Sequence, residues 1–172
     1  MDHRRVVVAL VLAGLSACVG GGTDRDAAPP VTGRFEIVVE ASDASQSVSL
    51  RTGGSFDRAQ RRLTIDVDLR AIDPTLGTLH EIAVDGIVYL DCPYLARAVE
   101  AKTRWISVRG TADELAALLP FDPLELVHDT VMRFDSGSEG GTAVVSARFF
   151  DLGQPITIVA PPPEQVTEVR GG

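Results

Sequence analysis

The chain has 172 residues, 16 Lys and Arg against 24 Asp and Glu, a formal charge of −8 at pH 7, and 45% hydrophobic residues. That hydrophobic share suits an ordinary globular core, while the acidity argues against a nucleic-acid partner, which needs a basic patch to displace counterions. No basic amphipathic stretch is present to lay the chain flat on anionic lipid, and two cysteines cannot build a disulfide scaffold.

Arg4 and Arg5 open the chain with positive charge, and residues 6–17 carry none. A positive start, a short apolar run and small residues ahead of a cut site describe a secretory signal peptide. A membrane-spanning helix needs about 20 apolar residues, more than this run supplies. The run closes on Leu15-Ser16-Ala17-Cys18, which resembles the lipobox of bacterial lipoproteins. The resemblance implies that residues 1–17 are removed and that the Cys18 sulfur carries a diacylglycerol, with further acylation by chains such as palmitate. The alternative is an ordinary secreted protein cut nearby, with Cys18 left as a thiol. Cleavage before Cys18 takes away Arg4, Arg5 and Asp2, leaving 14 basic against 23 acidic residues and a formal charge of −9. The remainder is then expected to sit lipid-anchored at the cell membrane, on its extracytoplasmic face.

Residues 18–32 read as a tether. Gly20, Gly21 and Gly22 lead to Asp24, Arg25 and the pair Pro29-Pro30, without apolar periodicity, a composition of flexible linkers. Such a chain has an r.m.s. reach of about 20 Å. Two or more acyl chains anchor it firmly, since each buried methylene contributes about 0.8 kcal/mol and one chain is marginal.

One domain is expected over residues 33–170. Phe35, Ile37 and Val39 fall on one face of residues 34–40, the period-2 pattern of a half-buried strand. Residues 47–57 continue as a strand interrupted by Gly53-Gly54, glycines that mark a bulge or sharp bend. Leu63, Ile65, Val67 and Leu69 alternate with Thr64, Asp66, Asp68 and Arg70, the clearest sign of an antiparallel sheet with one wet face. Strand geometry puts Asp66 and Asp68 on the solvent side, so their proximity is not read as a metal site. After Pro74 and Gly77, residues 79–84 lead through Asp85-Gly86, a hairpin-type pair, into residues 87–90. Residues 95–101 suit one or two helical turns, and residues 105–109 a short strand.

Thr111 resembles an N-cap with Asp113 and Glu114 in the first turn; Leu115, Leu118 and Leu119 follow on one side, and Pro120 ends the helix. Asp122-Pro123 opens a second helical segment to His128. Residues 130–135 and 142–149 read as strands around a glycine-rich loop. A last strand is expected over residues 155–159, with a loose tail to Gly172. Strands, two short helices, then strands predict an α+β fold: a curved antiparallel sheet, an incomplete barrel, with short helices packed on its concave face.

Several stretches resemble the actinobacterial LppX/LprG-type envelope lipoproteins, whose fold is LolA-like. They are the lipobox with its glycine-rich tether; Gly54-Ser55-Phe56-Asp57 leading to Arg62-Leu63-Thr64-Ile65-Asp66; and Asp85-Gly86-Ile87-Val88-Tyr89-Leu90 with Trp105-Ile106-Ser107-Val108. The closing stretch from Phe150 through Gly153-Gln154-Pro155 to Pro161-Pro162 is the most similar. The resemblance implies a sheet closed over by helices with an apolar cavity between, which binds acyl chains of glycolipids or other envelope lipids and helps to move them outward.

Chemistry-bearing motifs are sparse. There is no Gly-x-Ser-x-Gly elbow, and His80 and His128 lack ligand spacing, so neither an enzyme nor a cofactor or metal site is expected. Cys92 reads as a small buried apolar residue; with Cys18 unacylated, a bridge between the two is the alternative. Two functions follow. The first is a tethered carrier of a lipid or glycolipid, its cavity lined by Leu63, Ile65, Val67, Tyr89, Leu115, Leu118, Leu119 and Met132. The second is an interaction module with a filled core that docks on another envelope protein. Volume separates them, since an acyl chain needs several hundred Å³ and a filled core leaves almost none.

Overall fold

The computed structural model describes residues 31–42, 47–110, 129–135 and 141–169. They form one nine-stranded sheet. Its strands are β1 (Thr32–Ser42), β2 (Ser47–Asp57), β3 (Arg62–Asp68), β4 (Thr78–Val84), β5 (Ile87–Asp91), β6 (Trp105–Arg109), β7 (Thr130–Asp135), β8 (Thr142–Phe150) and β9 (Val166–Glu168). The spatial order is β7-β8-β1-β2-β3-β4-β5-β6-β9. Neighbours are antiparallel except β6 and β9, which run parallel, so the sheet is mixed.

This overturns the expected α+β architecture. Among the described residues the one α-helix is α1 (Pro93–Ala98), six residues long with none buried. A six-residue helix with only Leu95 and Ala96 half-buried is too small to be a layer packed on a sheet. Pro93 sits in its first turn, where a missing N–H costs nothing. The expected helices at residues 111–119 and 122–128 lie outside the described residues.

Alternation decides the sheet's faces. Phe35, Ile37, Val39 and Ala41 are buried along β1, while Arg34 and Glu40 on the opposite parity are exposed. Register carries this inner face onto β2, where Gly33 opposes Phe56 and Phe35 opposes Gly54. A Cβ on Gly54 would lie 2.1 Å from the Thr64 carbonyl oxygen and 2.3 Å from the Phe35 ring. The glycine is therefore there for close approach, not for a bulge: pairing with both neighbours runs through it without an extra residue. Phe149 on β8 completes an aromatic cluster, its ring centroid 6.3 Å from Phe35 and 6.4 Å from Phe56. Edge-on and tilted packing of this kind adds about 0.5–1.5 kcal/mol per pair beyond area burial.

β3 ends one step earlier than its alternation suggests. Asp68 accepts a hydrogen bond from the Arg70 backbone N–H and caps a 3₁₀ turn, Leu69–Ala71, so Leu69 leaves the strand. Asp85 and Gly86 both have positive φ, 53° and 75°, the mirror-image turn that matches strand twist.

The C-terminal region departs most from expectation. Residues 155–159 belong to no ladder, because Pro155 and the run Pro161-Pro162-Pro163 remove backbone donors. Buried Ile158 gives its carbonyl to Arg62 Nη1 instead, at 3.1 Å. The strand forms further on, as β9, where a loose tail was expected. Val169 N–H donates to the Ser107 carbonyl, and the hydroxyls of Thr103 and Thr167 lie 2.6 Å apart.

Candidate functional site

Register places one row of inner-face residues across eight strands: Phe149, Phe35, Gly54, Ile65, Glu81, Leu90, Ile106 and Thr167. Glu81 is the only ionisable residue in it. Toward Ala83 the inner face is sealed: Phe35, Ile37, Phe56, Leu63, Ile65 and Ala83 are at most 1% exposed, and Val88 and Ile106 are buried too. Toward Leu79 it is less closed, since Val67, Leu79 and Leu90 are only half-buried, although Val67 and Leu90 pack against the core. These three form one patch with Glu81, for Val67 opposes Leu79 and Glu81 opposes Leu90, while Leu79 and Glu81 are inward neighbours on β4.

Glu81 is 5% exposed. Burial in this apolar surrounding disfavours its charged form and raises its carboxyl from the usual 4.5 to about 7. On the flanking strands the inward positions are Leu63, Ile65 and Val67 on β3 and Val88 and Leu90 on β5. Among the described residues, no charged group therefore faces the carboxyl from these strands.

The outer face differs between its halves. On β1 and β2 it is wet, with Arg51 reaching Glu36 at 3.4 Å. On β3 and β4, Asp66 Oδ1 lies 2.6 Å from His80 Nδ1. Asp68 takes both Nε and Nη2 of Arg70, whose guanidinium draws its pKa below the usual value through that hydrogen bond. Each acid thus pairs with a different neighbour on the solvent side. Toward β6 the outer positions Val84 and Ser107 are buried, so the single wet face extends over only part of the sheet. Arg104 caps this region, 2.6 Å from Asp91 and 5.7 Å from the Trp105 ring.

Of the residues predicted to line a cavity, Leu63, Ile65 and Val67 share the inner face of β3. Tyr89 does not join them. It opposes Ile82 and Ser107, outward positions, because β5 presents Val88 and Leu90 inward. Met132 holds a register position opposite Val145 on β8, five strands from β4. Leu115, Leu118 and Leu119 lie outside the described residues, as does Cys18. Cys92 is buried with a free thiol. Among the described residues no group of His, Cys, Asp or Glu could hold a metal ion, and no helix is long and apolar enough to cross a membrane.

No family model matches the chain, and no curated protein matches it. The site therefore rests on geometry alone. Glu81 was missed because residues 79–84 carry apolar groups at both parities: Leu79 and Ala83 on one, Ile82 and Val84 on the other. Only pairing with β3 assigns the carboxylate to the inner face.

Proposed function

We propose that the protein is a membrane-tethered envelope lipoprotein that binds a lipid or other apolar ligand against the inner face of its sheet and carries it outward. The lipobox ending in Cys18 and the glycine-rich tether support the anchoring. The observation that carries the binding is the half-buried patch of Val67, Leu79 and Leu90, continuous with a sealed apolar core. Apolar burial is non-directional and contributes roughly 25 cal/mol per Å², so such a surface suits acyl chains of varied length. Acylation of Cys18 keeps the carrier beside the membrane that supplies its ligand, within the roughly 20 Å reach of the tether.

The test is native mass spectrometry of the mature chain from position 18, with Cys18→Ser, produced in a bacterial host and followed by solvent extraction. A stoichiometric lipid-like mass is expected. A bare mass that stays unchanged after incubation with envelope lipids overturns the carrier reading and favours a tethered module that docks on another envelope protein.

A further inference from the structure

We infer that Glu81 is the headgroup anchor of the ligand site: a carboxyl that hydrogen-bonds the neutral polar end of an amphiphile whose tail lies on Val67, Leu79 and Leu90. This rests on the proposed lipid binding and adds the chemical class of the ligand, a lipid with hydroxyl or ester groups next to its chain.

The placement of the group carries the inference. A carboxyl set in an apolar surrounding is costly unless it meets a polar partner, and the Glu81 oxygens are not among the fully enclosed, unpartnered polar atoms of the described residues. Glu81 stands in the middle of a row that is otherwise apolar from Phe149 to Ile106. A leucine there would extend the core without that cost. The carboxyl is also not at random in the face. It marks the boundary where the sealed core gives way to half-buried Leu79 and Leu90. Ligand sites combine a mostly apolar lining with a few polar groups that fix orientation, and this patch has that composition.

The acid's protonation state selects the ligand. Desolvation keeps Glu81 largely neutral up to about pH 7, and a neutral carboxyl both donates through its O–H and accepts through its carbonyl. An ester carbonyl accepts a hydrogen bond from the Glu81 O–H, and a glycerol or sugar hydroxyl donates to the Glu81 carbonyl oxygen. The tail then covers the part of Val67, Leu79 and Leu90 that the core leaves half-buried.

Calorimetry with 1-monodecanoylglycerol and headspace depletion of decane separate head from tail recognition in the mature Cys18→Ser chain. Both probes are expected to bind. Glu81→Leu should weaken monodecanoylglycerol by about tenfold, the loss of one or two buried hydrogen bonds, and leave decane unchanged, which also reports an intact fold. Glu81→Gln, which keeps a donor and an acceptor, should retain monodecanoylglycerol within about twofold. Equal binding of monodecanoylglycerol by the wild-type chain and Glu81→Leu overturns the anchor while lipid binding stands. Failure of the wild-type chain to bind either probe overturns lipid binding, and the anchor with it.

Discussion

The two halves of the inner face are built on opposite principles. Across β8, β1 and β2 it is closed by aromatic rings seated over glycines, with Phe35 above Gly54 and Phe56 above Gly33. Around the Leu79 end of β4 it holds a carboxyl among half-buried Val67, Leu79 and Leu90, next to the buried core residues Ala83 and Val88. The first arrangement is what stability alone favours, since interiors pack to crystal-like density. The second gives up stability at one position, the cost on which the proposed ligand anchor rests.

Damage to the closed half should be the most severe. Phe56 is fully buried, and Phe56→Ala is expected to destabilise by about 4 kcal/mol, read from urea unfolding midpoints. Gly54→Ala presses a methyl group onto the backbone of β3, so a cost of about 3 kcal/mol, high in the overpacking range, is expected in the same assay.

The open half should respond to pH. The folded-state pKa of Glu81 is raised from 4.5 to about 7, so its contribution is fully present below pH 4.5 and is lost as pH rises through 7. Across that window the wild-type chain should lose about 3 kcal/mol of stability from this group. Glu81→Gln removes the titration, and its unfolding free energy should lack that decline. An equal slope in both chains would place the titration elsewhere.

Smaller effects belong to the periphery. Arg62→Ala removes the donor that holds the Ile158 carbonyl and the partner of Asp85. A loss of about 1.5 kcal/mol is expected, with faster amide exchange at Val169, whose N–H bonds to β6. His80→Ala breaks an exposed pair with Asp66 and should shift stability by no more than about 0.5 kcal/mol.

How far the sequence could be read follows the same division. Strict alternation of Leu63, Ile65 and Val67 with polar residues identifies the inner face of β3, and Asp85-Gly86 identifies its turn. Residues 87–90 are apolar without a break, so nothing local shows that Tyr89 points away from Val88 and Leu90. The same ambiguity hid Glu81 in β4, where both parities are apolar and only long-range register decides. Alternation misled at Ile156 and Ile158, where prolines deny the ladder its donors. β9 has three residues and a parallel partner 61 positions away, too little for any local pattern to announce. The expected helical layer failed for a related reason. Periodicity can propose a helix, but packing on a sheet is a tertiary fact, and α1 fully buries no side chain.

The most direct measurement is a ¹³C NMR titration of the Glu81 side-chain carboxyl in the mature Cys18→Ser chain. A midpoint near 7 is the result expected of a carboxyl embedded in an apolar row. A midpoint at the ordinary 4.5 would show a solvated or paired group, and would contradict both the asymmetry of the sheet and the ligand anchor built on it.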